Sequence, residues 1–202
     1  KKTTLTNGVS IITREIHNNV ISFYVWFKTG ARSENDTNSG ISHFIEHLIF
    51  KGSVKRGANE LSKEIESRGG ELNGATSKDY TNYHFTIAKE FFDISLDGMM
   101  DCVLNPLFDK DEIEKERKVV VEEILRQKDN PGSYLFNLLS FISYEKHPYK
   151  RPVIGQADII ESVSRDIIAE YYKNHYIAKN MIIVVVGDFE TNELIKKITK
   201  YF

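Results

Sequence analysis

Five consecutive residues, His43-Phe44-Ile45-Glu46-His47, constrain this chain more than any other stretch. Their polar side chains work together only on a helix, where residues four apart share a face one turn apart. On that geometry His43 and His47 each aim a ring nitrogen at one point. Glu46, three residues from His43 and beside His47, reaches the same space. Two neutral nitrogens and a carboxylate are a set that can hold a metal ion and accept a proton from water. Two surface histidines that happen to share a helix face would be spelled the same way.

The flanking residues predict that helix. The polar run Ser33 to Ser39 and Gly40 make a loop, with Ser39 or Ser42 as the expected N-cap. Ile41, Phe44, Ile45 and Leu48 then form an apolar stripe at helical spacing, and Gly52 follows as a stop. The histidines and Glu46 sit beside the stripe and are expected to be half-buried. Val20 to Phe27, rich in β-branched and aromatic residues, reads as a strand leading into the loop.

H-x-x-E-H is the inverted form of a zinc-hydrolase signature. A catalytic zinc takes three protein ligands and leaves a fourth position open. The candidate third ligand lies on a second helix, Asp109 to Arg126, whose acidic first turn suits the macrodipole. Ile113, Val120 and Ile124 mark its buried stripe. Glu116 and Glu123, two turns apart, flank that stripe, whereas Glu122 is rotated away by about a quarter turn. Glu112, Glu114, Lys115 and Lys118 fit a solvated face.

With these residues in place, the chain resembles the M16 peptidases, the pitrilysin or insulinase family that includes mitochondrial processing peptidase. The resemblance rests on H-x-x-E-H followed by a distal glutamate, with 75 residues between His47 and Glu123. It extends to Gly40–Gly52 (G-I-S-H-F-I-E-H-L-I-F-K-G), Gly69–Thr76 (G-G-E-L-N-G-A-T) and Glu116–Glu123 (E-R-K-V-V-V-E-E). His147-Pro148 with Gly155, and Met181–Phe189 (M-I-I-V-V-V-G-D-F), are similar too, so the likeness runs along essentially the whole chain.

The resemblance implies a zinc-dependent endopeptidase with Zn2+ held by His43, His47 and Glu123, and Glu46 as general base. It implies Glu116 as a further acidic residue supporting the ligand shell, in the way that carboxylates orient ligating histidines. Asn73, Gly74 and Ala75 would lie on the strand that pairs with an extended peptide substrate by β-augmentation. Gly74 departs from the family, which more often has alanine there. Family members usually close two such domains around a peptide, the second adding an Arg and Tyr pair. The implied partner is therefore a homologous C-terminal domain or subunit, and the isolated chain is expected to be weakly active or inactive. The alternative is a non-catalytic binding or scaffold subunit of an M16-like heterodimer, although such relatives typically have degraded metal motifs.

At 202 residues and 41% hydrophobic, the chain is long enough for one domain with a real core. A net charge of −2 gives no basis for binding nucleic acid or an acidic membrane, and no apolar run approaches a spanning helix. The single Cys102 precludes an intrachain disulfide and is expected in the core. With no targeting segment visible, the expected location is cytoplasmic. The chain starts without Met, which leaves room for a removed leader and favours a fragment of a longer protein. The expected organisation is a single N-terminal zinc-binding domain over 1–202, without the homologous C-terminal half.

Strands are expected at 9–15, 20–27, 71–77, 80–88 and 181–186. Helices are expected at 40–51, 60–68, 90–104, 109–128, 133–145, 165–174 and 192–200. Lys78-Asp79 suggests a tight hairpin, and Asn130-Pro131-Gly132 a turn between two helices. The fold class is α+β, a two-layer domain with helices packed on a largely antiparallel sheet. His17, His84, His147 and His175 are expected to have no part in catalysis, and Phe50 is expected in the core or lining a substrate pocket.

Overall fold

Strict alternation builds the centre of the molecule. In the computed structural model, which describes residues 1–202, strand β3 (Val20–Phe27) turns Ile21, Phe23, Val25 and Phe27 inward. Its other face, Ser22, Tyr24 and Trp26, is half-exposed. β5 (Thr81–Ala88) and β6 (Met181–Gly187) flank β3 antiparallel on either side and repeat the pattern with Phe85 and Ile87, and with Ile183 and Val185. The Phe23 and Phe85 rings stack across the strands with centroids 5.2 Å apart.

β1 (Lys2–Thr4), β2 (Ser10–Glu15) and β4 (Glu71–Thr76) complete a six-stranded sheet in the order β1-β2-β6-β3-β5-β4. Every pairing is antiparallel except β2 with β6. The largely antiparallel α+β architecture expected from sequence is therefore present. β4 is an edge strand.

The helices are α1 (Ile41–Leu48), α2 (Glu60–Glu66), α3 (Phe92–Leu104), α4 (Lys110–Asp129), α5 (Pro131–Ser143), α6 (Ala157–Ser162), α7 (Arg165–His175) and α8 (Thr191–Thr199). Ile41, Phe44, Ile45 and Leu48 of α1 join Ile113, Val120 and Ile124 of α4 in one core cluster with the inward sheet residues. Cys102 is also buried there. No helix is long and apolar enough to cross a membrane.

Several local expectations need correction. Neither Ser39 nor Ser42 caps α1: the N-cap is Gly40, with no side-chain cap of its own. The buried Glu34 carboxylate does that work, accepting from Gly40 N–H at 2.7 Å and Ser42 N–H at 2.9 Å. Gly40 has φ +95°, and a Cβ there would meet Gly155 Cα and Ile154 O at 2.7 Å, so a side chain is excluded twice. α5 begins at Pro131 rather than Ser133, because proline fits the first helical position and Asn130 caps Ser133 N–H. The tight hairpin expected at Lys78-Asp79 is present: β4 and β5 pair antiparallel on either side of it, and Ser77 N–H donates to Tyr80 O at 2.8 Å. β1 and α6, only three and six residues long, carried no periodic signal.

Candidate metal centre

α1 presents His43 and His47 on one face, as their spacing requires, and packs against both α4 and β4. α4 holds its apolar stripe in the core, which turns Glu116 and Glu123 toward the two histidines. Glu123 Oε2 lies 3.8 Å from His43 Nε2 and 3.6 Å from His47 Nε2. One donor atom from each of His43, His47 and Glu123 lies within 4.8 Å of the others. A tetrahedral zinc with bonds near 2.1 Å spaces its ligand atoms about 3.4 Å apart, so this donor set fits such an ion with little movement.

Electrostatics within the cluster are uneven. Burial, and then the charge of His47, lower the pKa of His43 to about 4, so its imidazole is neutral at pH 7, the form a metal needs. Its buried Nδ1 has no hydrogen-bond partner. Burial would also depress His47, but the Glu116 hydrogen bond and the carboxylates of Glu46, Glu123 and Glu116 outweigh it and raise its pKa. Glu116 Oε2 lies 3.2 Å from His47 Nδ1, and Glu116 Oε1 meets Lys51 Nζ at 2.7 Å. Those two contacts hold the Glu116 carboxyl below the usual range despite burial, which pushes it up.

Glu46 extends from the same helix toward β4. Burial raises its pKa, opposed first by a hydrogen bond from Thr76 Oγ1 to Glu46 Oε2 at 2.6 Å. A Cβ on Gly74 would stand 3.0 Å from Glu46 Cγ, so the bare glycine leaves room for the carboxylate stem. A cavity of about 320 Å³ opens beside Glu46 and His47, lined also by Phe50, Asn73 and Gly74. A second, of about 480 Å³, opens beside His43, Thr76, Lys78 and Phe136.

Asn73, Gly74 and Ala75 all lie on the edge strand, but they differ. Asn73 pairs with His84 and Ala75 with Asn82. Counting from the Ser77–Tyr80 bond, antiparallel alternation leaves the N–H and C=O groups of Leu72, Gly74 and Thr76 on the outer edge. The Gly74 N–H is covered by Asn73 Oδ1 at 2.8 Å.

Thr76 and Lys51 did not emerge from the sequence. Lys51 carried a faint signal, four residues past His47; Thr76 carried none, since strand spacing cannot say which helix residue lies above it. The remaining histidines stand apart. His84 stacks on Tyr24, His175 on Tyr171, His147 accepts from Tyr149 N–H, and His17 is in solvent. Phe50 packs edge-on against Tyr83 at 5.7 Å while lining the smaller cavity.

Residues 10–157 match the family model described as Insulinase (Peptidase family M16), and residues 162–202 match one described as Peptidase M16 inactive domain. An uncharacterized zinc protease of Bacillus subtilis, YmxG, is 34% identical across all of this chain, which covers 49% of that protein. A probable mitochondrial-processing peptidase subunit beta of Arabidopsis thaliana is 31% identical over 99% of this chain and 38% of its own length. The crystal structure of a protease from Helicobacter pylori superposes with TM-score 0.95 and 32% identity, covering 100% of this chain and 49% of the other. The chain thus spans half or less of the length of these relatives.

Proposed function

Since this chain belongs to the insulinase family of peptidases, M16, we propose that it is the zinc-binding, catalytic half of an endopeptidase acting on unstructured peptides or precursor segments. The observation that carries this reading is the convergence of His43 Nε2, His47 Nε2 and Glu123 Oε2 beside the Glu46 carboxylate. Zinc bound by those three residues supplies Lewis-acid chemistry, polarising a carbonyl and bringing water's pKa to about 7.

The chain's own residues do the rest. Glu46 accepts the proton of the attacking water and returns it to the leaving amine, and the burial that raises its pKa suits both roles. Glu116 orients His47 through Nδ1, and Lys51 neutralises Glu116. An extended peptide pairs with the outer edge of β4 through Gly74 and Thr76, with Asn73 beside the smaller cavity and Ala75 supporting the strand. Nothing in the site favours the scaffold alternative, because every donor of the metal set is present. A homologous second domain or subunit completes the enclosure of the substrate; supporting this, the relatives are at least about twice as long as this chain.

The test is cleavage of an unstructured fluorogenic peptide by this chain with its second half, with and without chelator. Glu46→Gln should bind zinc stoichiometrically and lose at least about 100-fold in turnover. Chelator-resistant cleavage, or wild-type turnover by Glu46→Gln, would overturn the reading.

A further inference from the structure

We infer that Thr76 is a positioning residue for Glu46, so that one edge strand both offers a peptide rail and aims the general base. The inference rests on the peptidase reading above. β4 turns Leu72, Gly74 and Thr76 toward the helix layer, because Leu72 and Thr76 are cross-strand from the inward Phe85 and Thr81. Gly74 therefore lies under the Glu46 stem, where a side chain would crowd Cγ at 3.0 Å and Oε1 at 3.3 Å. Thr76, two residues along the same face, donates its hydroxyl to Oε2 at 2.6 Å. Glu46 Oε1 has no protein donor and remains the free acceptor.

A glutamate has three rotatable bonds, and a carboxylate that must meet water at one angle gains from being held there before substrate arrives. No other side chain holds Glu46 by a hydrogen bond. Like Leu72 and Gly74, Thr76 also turns its own N–H and C=O to the open edge of β4. Its backbone would contact the peptide while its side chain holds the base, so replacing the side chain should separate the two effects.

The experiment compares Thr76→Val and Thr76→Ser in zinc-loaded protein carrying its second half, with Glu46→Gln alongside. Valine keeps the β-branched shape and removes the hydroxyl; serine keeps the hydroxyl and removes the methyl. Thr76→Val should lower kcat about 10- to 100-fold with KM within about twofold, and Thr76→Ser should recover most of the loss. A crystal structure of zinc-free Thr76→Val should show the Glu46 carboxylate moved from its seat. Wild-type kcat in Thr76→Val, an unmoved carboxylate, or a loss that serine does not rescue would each overturn the inference. Should valine prevent folding, Thr76→Ala makes the same comparison. If Glu46→Gln itself turned over normally, the peptidase reading would fail instead, whatever Thr76 does.

Discussion

His47 Nδ1 lies 3.2 Å from Glu116 Oε2, on the opposite side of the ring from the Nε2 that faces Glu123. A buried carboxylate thus fixes the ring's orientation from behind, and Lys51 at 2.7 Å keeps that carboxylate charged. Removing either partner should loosen the ring rather than remove a ligand. Glu116→Gln and Lys51→Met are expected to weaken zinc affinity about 10- to 100-fold. Competition with a chromophoric chelator measures this, and wild-type affinity in both variants would show that the contact does not support the metal.

Zinc should also stabilise the fold, because the unfolded chain cannot bring Glu123 to the histidines. At free zinc about 1,000 times Kd, linkage adds about 4 kcal/mol, which for a chain of this size raises Tm by about 8–16 °C. His43→Ala and Glu123→Ala should abolish that rise while folding normally without metal. An undiminished rise in either variant would remove that residue from the ligand set.

Glu34 bonds two N–H groups at the start of α1, the helix that carries His43 and His47. Glu34→Ala leaves both donors buried without acceptors, at a cost of roughly 2–4 kcal/mol. Calorimetry should show Tm lower by about 4–16 °C. A shift below one degree would mean that water replaces the carboxylate.

α5 is the least covered apolar element: Leu135, Phe136, Phe141 and Ile142 are each at least 64% exposed. Patches of this kind drive association. The chain alone should self-associate with rising concentration and bind a hydrophobic dye. Leu135→Lys, Phe141→Lys and Ile142→Lys together should prevent both with little change in Tm, since exposed sites contribute little to stability. A wild-type chain monomeric at high concentration and dark to the dye would refute this.

Cys102 is 2% exposed, and burial pushes its thiol up to about 11. At pH 8 about one molecule in a thousand carries the thiolate. Iodoacetamide should therefore leave the folded protein unlabelled and modify it rapidly in denaturant. Labelling of folded protein at the rate of a small thiol would place Cys102 at the surface.

The elements whose residues repeat were legible from sequence. Helical spacing marked α1 and α4, enrichment in β-branched and aromatic residues marked β3, and helical spacing also showed that His43 pairs with His47 and that Glu116 and Glu123 share a face. Short elements such as β1 and α6 were not legible, because three to six residues cannot establish a period. The cap of α1 is not legible in the sequence because a polar loop offers several candidate donors and acceptors, and Glu34 reaches forward from six residues before Gly40.

Periodicity says which way a side chain points within its own element and nothing about what stands opposite. By itself the sequence determined the facing of each donor. Only the tertiary structure decided that Lys51 meets Glu116 and that Thr76 on the edge strand β4 meets Glu46, while Glu123 stands beside the histidines as the family resemblance implied. Those contacts depend on the packing of α1 between α4 and β4, which is set by burial of the shared core.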